Sequence, residues 1–231
     1  MGLYPSGQGL TDGCVLMFSG GRDSSIAALR LAHTGRPPTL VTITSDHLLG
    51  IEKVKQRLVE LASYLPATTR WLRIAQPEDL ATDTSFYEQT CLPCHHAYVV
   101  VAAAVARSMK AQRLAFGYTG YQSDWPEQTP LAVSKLRAVL ADYGIELELP
   151  VADLASREQA RRALEVFGLS PSSLEQKCSR QVTNVALDDT LLRAQISLWE
   201  GAIRRSMDEL DRIPAAIMEE AILGDFAGMS G

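Results

Sequence analysis

The sequence predicts an α/β fold, a doubly wound parallel sheet with helices on both faces, followed by a C-terminal helical extension. Two observations support this class. Short apolar or β-branched runs alternate with longer runs of helical spacing, and strands that alternate with helices favour a parallel sheet. Beyond residue 180 the pattern becomes mainly helical. We therefore expect an α/β domain over residues 1–180 and a helical extension over residues 181–231.

The first part of the chain has the order strand, helix, strand, helix, strand. We predict strands over residues 15–18, 39–44 and 69–74, and helices over residues 24–33 and 51–65. The strands are short apolar or β-branched runs. The second helix has apolar residues three and four positions apart, and Gly35 is placed to end the first helix. The polar residues 78–90 predict a loop with some helix.

The second part of the chain continues the alternation and then becomes helical. We predict strands over residues 113–116 and 145–149, and helices over residues 97–109, 131–143, 156–167, 189–210 and 215–223. Ser156 and Gln159 fit a capping box at the start of one helix. An apolar stripe in the extension, which faces the core or a second subunit, consists of Ile196, Trp199, Ile203 and Leu210. Residues 224–231 are expected to form a mobile tail.

The segment after the first strand, residues 19–24, reads Ser-Gly-Gly-Arg-Asp-Ser. Gly20 and Gly21 lack a Cβ and allow a ligand to approach the backbone. Their amides, with the free N–H groups of the next helix, form a concavity that favours phosphate. Asp23 beside it would repel phosphate unless a cation lies between them, and Mg²⁺ prefers oxygen ligands shared by carboxylate and phosphate. The segment therefore predicts a site for a phosphate and Mg²⁺.

This segment resembles the Ser-Gly-Gly-x-Asp-Ser signature of the PP-loop ATP pyrophosphatases, a superfamily with a HUP-like fold that cleaves ATP to AMP and pyrophosphate. The resemblance implies that the phosphates of ATP contact Ser19, Gly20, Gly21, Asp23 and Ser24. It also implies a catalytic role for Asp23 and places the end of the second strand near the adenosine. Asp46 then contacts the nucleoside or caps the following helix, and Gly117 borders the nucleotide after the fourth strand.

Three of the four cysteines form a second candidate site. Cys91 and Cys94 form a C-x₂-C pair, and Cys178 lies far downstream. Such a pair places two thiolates within reach of one metal atom or one cluster. With Cys178 the three leave one position open on a four-iron cluster, whereas His95 would complete a Cys₃His zinc site. Two alternatives to a metal site remain. The thiols could form a redox couple or carry a persulfide, with the pKa of Cys94 lowered by a helix N-terminus. They could also be unrelated free cysteines.

The order of these cysteines resembles PP-loop enzymes that put sulfur into tRNA bases. The resemblance implies a [4Fe–4S] cluster held by Cys91, Cys94 and Cys178, with Cys91 and Cys178 also catalytic. Those enzymes commonly have a Gly-His-x-x-Asp-Asp motif after the fourth strand, and residues 117–124 lack the His. Residues 119–127 look somewhat like the 7-cyano-7-deazaguanine synthases instead, which turn an activated carboxylate into a nitrile with ammonia. The four-cysteine zinc site of that branch has no counterpart here.

Residues 117–128 supply further polar candidates at the same predicted sheet edge. Asp124 is a candidate for binding Mg²⁺ or orienting the acceptor, and Tyr121 or Trp125 for stacking on a planar base. The alternative interpretation is an ordinary surface loop.

Composition limits the setting of the protein. The formal net charge is −5, without the basic excess usual in nucleic-acid binders. The longest apolar stretch, residues 99–106, is too short to span a bilayer. Four cysteines and a polar N-terminal segment predict a reducing, cytoplasmic setting with no membrane partner.

The sequence therefore predicts an ATP-dependent enzyme that adenylates an acceptor oxygen and replaces it with sulfur. The acceptor is either a nucleobase, as in tRNA, or a small molecule, and a homodimer is compatible with the apolar stripe. One alternative is nitrogen insertion from ammonia with a structural Zn²⁺. Another is a non-catalytic nucleotide sensor. The further partners are ATP with Mg²⁺ and a sulfur or ammonia donor.

Overall fold

The computed structural model describes residues 11–81, 90–180, 185–213 and 215–228. The strands of this part are β1 (Thr11–Met17), β2 (Thr39–Thr44), β3 (Leu48–Leu49), β4 (Arg70–Ala75), β5 (Ala111–Ala115), β6 (Glu146–Glu148), β7 (Lys177–Cys178) and β8 (Ile217–Ile222). The α-helices are α1 (Arg22–His33), α2 (Ile51–Leu61), α3 (Glu78–Ala81), α4 (Leu92–Ser108), α5 (Pro130–Asp142), α6 (Arg157–Val166) and α7 (Asp189–Asp208).

Six strands form the main sheet in the order β6-β5-β1-β2-β4-β8. All neighbours pair in parallel except β8, which is antiparallel to β4. The chain moves outward from β1 in one direction through β2 and β4, and then continues on the other side through β5 and β6. The strand order therefore reverses between β1 and β5, and ligands of open α/β sheets bind at the carboxyl end of such a point.

Helices cover both faces of this sheet, as predicted. On one face α4, α5 and α7 bury side chains such as Val100, Leu136 and Trp199. On the other face α1, α2 and α6 bury Leu58 and Leu164, among others. Each helix thus buries an apolar face against the sheet, which is what a doubly wound fold requires.

The helix α4 begins earlier than predicted. Its bounds are Leu92–Ser108, with Pro93 in the first turn, where the missing N–H of proline costs no helical hydrogen bond. Cys91 is therefore the residue that precedes the helix, and Cys94 and His95 lie in its first turns. Of the predicted loop over residues 78–90, the structure describes α3 and Thr90, and residues 82–89 lie outside the described residues.

The C-terminal extension is only partly helical. Helix α7 confirms the prediction over residues 189–208, and Ile196, Trp199 and Ile203 of its apolar stripe are buried in the core. The helix predicted over residues 215–223 is wrong, because Ile217–Ile222 is strand β8. Its Glu and Ala residues favour a helix, but pairing with the free edge of β4 decides the local structure.

The predicted mobile tail is also wrong where the structure describes it. A short 3₁₀ helix spans Leu223–Phe226. The ring of Phe226 is buried against Trp71, with centroids 6.1 Å apart in an edge-to-face arrangement. Residues 229–231 lie outside the described residues. Nowhere in the described part does a helix have the length and apolar character needed to cross a membrane.

Candidate active site

The phosphate loop, residues 19–24, lies where the strand order reverses, and it spans the turn after β1 and the first residues of α1. Gly20 has a φ of +78°, in the left-handed region, and Gly21 caps the helix. The Gly21 N–H donates to Ser19 Oγ at 3.1 Å, and Ser19 Oγ lies 3.2 Å from Ser24 Oγ. The loop therefore has the turn, hydroxyl groups and helix N-terminus that the sequence predicts for binding phosphate.

Gly117, at the end of β5, lies against the phosphate loop. A Cβ at this residue would lie 2.9 Å from the backbone N of Ser24, so only glycine allows the approach. This contact shows a packing function for Gly117. Its predicted contact with the nucleotide remains a prediction.

The Asp23 carboxylate is held by a tyrosine from the segment after β5. The hydroxyl of Tyr121 lies 2.6 and 2.8 Å from the two carboxylate oxygens and donates to them. Burial raises the pKa of Asp23, the hydrogen bond from Tyr121 and the charge of Arg22 lower it, and the charge of Glu175 raises it. Tyr121, predicted to stack on a base, thus directs its hydroxyl at the acid that the sequence assigns to Mg²⁺.

The phosphate loop is connected to Cys178 by a segment for which the sequence predicts no structure or function. We call residues 170–178 the bridging segment. The side chain of Arg57 from α2 is fully buried and donates to the carbonyl oxygens of Ser170 (3.0 Å) and Ser172 (2.6 Å). Its Nε also lies 3.5 Å from the carbonyl oxygen of Gly20. Arg57 therefore ties the bridging segment to the phosphate loop.

The bridging segment then crosses the end of β2. Gln176 Nε2 donates to the Ile43 carbonyl oxygen at 2.8 Å, and Thr44 Oγ1 lies 3.1 Å from Gln176 Oε1 and donates to it. Two residues later, β7 pairs with β3, so that Cys178 is opposite Leu48. These contacts place Cys178 at the same sheet edge as the phosphate loop.

The cysteine triad, which is Cys91, Cys94 and Cys178, is brought together by α4 and the bridging segment. Burial, together with the nearby charges of Glu127, Cys94 and Cys178, raises the pKa of Cys91 to about 12. Burial likewise raises the pKa of Cys94 to about 11. The predicted lowering of the Cys94 pKa by a helix N-terminus is therefore wrong, because desolvation of the thiolate outweighs the helix dipole.

His95 is not placed to complete a zinc site. Its Nδ1 lies 2.8 Å from the Tyr118 hydroxyl, and its Nε2 lies 3.7 Å from Glu127 Oε1. The histidine beside the triad is His47, whose Nε2 lies 3.8 Å from Cys94 Sγ. Both ring nitrogens of His95 therefore face other partners, which disfavours the alternative in which His95 completes a Cys₃His zinc site.

A single metal ion and an iron-sulfur cluster place different demands on three thiols. Within the described ranges, no group of three His, Cys, Asp or Glu side chains is arranged to hold one metal ion. A tetrahedral zinc with bonds of about 2.3 Å requires sulfurs about 3.8 Å apart. A cluster binds each thiolate to a different iron and therefore needs a wider triangle. The three thiols are half-buried, and a cluster held by them stays a prediction.

The remaining candidates lie at the rim of the site. Asp46 is exposed after β2, and it does not cap α2, because Gly50 occupies the capping position. Asp124 is exposed and Trp125 half-buried, between two 3₁₀ helices, Gly120–Gln122 and Pro126–Gln128. The contacts of Asp46 with a nucleoside, and of Asp124 and Trp125 with an acceptor, stay predictions.

Comparison with known proteins identifies the fold. The sequence matches no protein-family model and no curated protein. Its structure is similar to that of a 4-thiouridine synthetase–RNA complex with bound ATP, with a TM-score of 0.60, 14% identity and 90% of this chain covered. The chain spans only 55% of that synthetase.

Two further structures are similar over most of their length. NMN synthetase from Francisella tularensis has a TM-score of 0.52 at 13% identity, over 90% of this chain and 89% of that one. The U34-tRNA thiolase NcsA from Methanococcus maripaludis, with its [4Fe–4S] cluster, has a TM-score of 0.50 at 15% identity, over 89% and 74%. All three are PP-loop ATP pyrophosphatases. The chain thus has the PP-loop, HUP-type α/β fold that its phosphate loop predicts.

Proposed function

We propose that this protein is an ATP-dependent PP-loop enzyme that adenylates a carbonyl oxygen and replaces it with sulfur. The observation that carries the proposal is the bridging segment, which joins the phosphate loop to Cys178 at one sheet edge. An enzyme that activates an oxygen with ATP and then delivers sulfur needs both sites within reach of one acceptor. Similarity of fold to two enzymes of tRNA thiolation supports this choice.

The phosphate loop has the groups required for the first step. Its backbone amides and Ser19 hold the β- and γ-phosphates, and Asp23 is the residue that would bind Mg²⁺, which neutralises the phosphate charge. The acceptor oxygen attacks the α-phosphorus, and pyrophosphate leaves. The protein contributes position and charge neutralisation, and the product is an adenylated oxygen that departs readily as AMP.

The cysteine triad serves the second step. A [4Fe–4S] cluster held by the three thiolates would supply an iron with one open position for an exchangeable sulfur ligand. A sulfide-level donor forms the new C–S bond as the C–O bond to AMP breaks, so no electrons are gained or lost. The acceptor class is a nucleobase carbonyl, in tRNA or free.

The metal content of the protein tests this proposal. After purification without oxygen, we expect iron and sulfide in equal amounts, little zinc, and absorbance near 400 nm. Cys178→Ala should lose most of the iron, whereas Cys14→Ala should keep it, because Cys14 is buried within β1 in the apolar core on the face covered by α1, α2 and α6. One zinc per chain would instead favour nitrogen insertion. A protein with neither metal that releases no pyrophosphate would be a nucleotide sensor.

A further inference from the structure

A carboxylate lies directly on the phosphate loop. A Cβ built on Gly21 would lie 2.8 Å from Glu175 Oε2, so the Glu175 side chain occupies the space that the missing side chain leaves. One residue earlier, the carbonyl oxygen of Leu174 would lie 2.5 Å from a Cβ on Gly20. Both glycines of the loop therefore accommodate the bridging segment closely.

Glu175 is solvent-exposed and has one neighbouring side chain as a hydrogen-bond partner. Ser173 Oγ donates to Glu175 Oε1 at 2.7 Å, and the backbone of the bridging segment is anchored by Arg57. Among the described residues, no Lys, Arg or His makes an ion pair with Glu175. The carboxylate is also close enough to Asp23 for its charge to raise the pKa of that residue. The phosphate loop is thus flanked by two negative side chains.

This arrangement would oppose the binding of a polyphosphate unless a cation is shared. Mg²⁺ is bound in proteins through one or two carboxylates together with phosphate oxygens of the substrate. We propose that Glu175 is a second carboxylate ligand, with Asp23, of the divalent cation that accompanies the nucleotide. The proposal rests on the proposed function. It gives the bridging segment a function in nucleotide binding, because a ligand of the cation, Glu175, and the third cysteine of the triad, Cys178, both lie in this segment.

Affinity for ATP with and without Mg²⁺ tests the proposal through two effects of opposite sign. Calorimetric titration of ATP is carried out in chelator and in excess Mg²⁺, with no acceptor present. In Glu175→Gln the affinity for metal-free ATP should rise about threefold, because a repelling charge is removed. The affinity for Mg²⁺·ATP should fall about tenfold or more, because a metal ligand is lost. Glu165→Gln, an exposed residue on α6, should change neither value.

Other patterns would overturn the proposal. Tighter binding of both forms would mean that Glu175 only repels phosphate, and weaker binding of both would mean that it only supports the packing of the loop. Glu175→Asp separates charge from packing, because it should restore part of the Mg²⁺ dependence. If the wild-type protein binds ATP in neither condition, the proposed function itself fails. If it binds ATP but Glu175→Gln shows no opposite effects, only the role of Glu175 fails.

Discussion

Replacing Gly20 with alanine should destabilise the protein through two separable effects. Its φ of +78° disfavours any residue with a Cβ by about 1–2 kcal/mol. The new Cβ would also lie 2.5 Å from the Leu174 carbonyl oxygen and 3.1 Å from the Val54 Cα, both backbone atoms. Overpacking of this kind costs about 1–3 kcal/mol more. We therefore expect a total loss of about 2–5 kcal/mol in the free energy of unfolding, from the sum of these two ranges.

Gly35→Ala is the matched control for this substitution. Gly35 has a φ of +77°, but nothing lies within 4 Å of a Cβ built there, so it has the conformational cost without the clash. Urea unfolding of both variants isolates the contribution of the bridging segment as the difference between them. We expect Gly20→Ala to lose the larger amount and to bind ATP much more weakly. Equal losses in the two variants would refute the packing of the bridging segment on the phosphate loop.

Three further substitutions test individual groups of the site. Asp23→Asn should abolish pyrophosphate release yet raise the melting temperature at neutral pH. Burial raises the folded-state pKa of Asp23, so ionisation of this carboxyl group opposes folding. The stability of the wild type should therefore fall as the pH rises through that pKa, and the variant should lose this dependence. A wild-type melting temperature that depends on pH no more than that of the variant would contradict the raised pKa of Asp23. Arg57→Leu should lower the free energy of unfolding in urea by about 3–5 kcal/mol, because it leaves buried carbonyl groups and Glu60 without their partner. The control is Arg162→Leu, which removes an exposed ion pair with Glu158 and should cost less than about 1 kcal/mol. Tyr121→Phe should raise the pKa of Asp23, because the hydrogen bond from the Tyr121 hydroxyl lowers that pKa in the wild type. On acidification, the variant should therefore lose Mg²⁺·ATP binding at a higher pH than the wild type. A binding profile identical to that of the wild type would show that the contact has no influence.

The phosphate loop could be predicted from sequence because its signals are local. Strand, glycines, acid and helix follow one another within a few residues, and each has a direct physical meaning at that spacing. The C-x₂-C spacing likewise marked Cys91 and Cys94 as a candidate site, whereas the position of Cys178 depends on contacts that its own residues do not show. The neighbours confirm the fold class, while the roles of the individual residues remain predictions.

Other features depend on contacts between distant parts of the chain. Arg57 meets Ser170 across 113 residues of sequence, and residues 170–176 have no periodicity that indicates where they lie. Strand β8 was predicted as helix because the free edge of β4, which decides its structure, is invisible in its own residues. The pKa of Cys94 was predicted to be low from its helix terminus, but burial by other elements determines it.

The transfer of sulfur itself tests the account most directly. Protein purified without oxygen is supplied with Mg²⁺·ATP, radiolabelled sulfide, and either bulk tRNA or free nucleobases. The account predicts label in one of these acceptors only when ATP is present, with one pyrophosphate released for each sulfur incorporated. Cys178→Ala should lose the label and Cys14→Ala should retain it. Pyrophosphate released without incorporation of sulfur into any acceptor would contradict sulfur transfer, and incorporation that is independent of ATP would contradict adenylation.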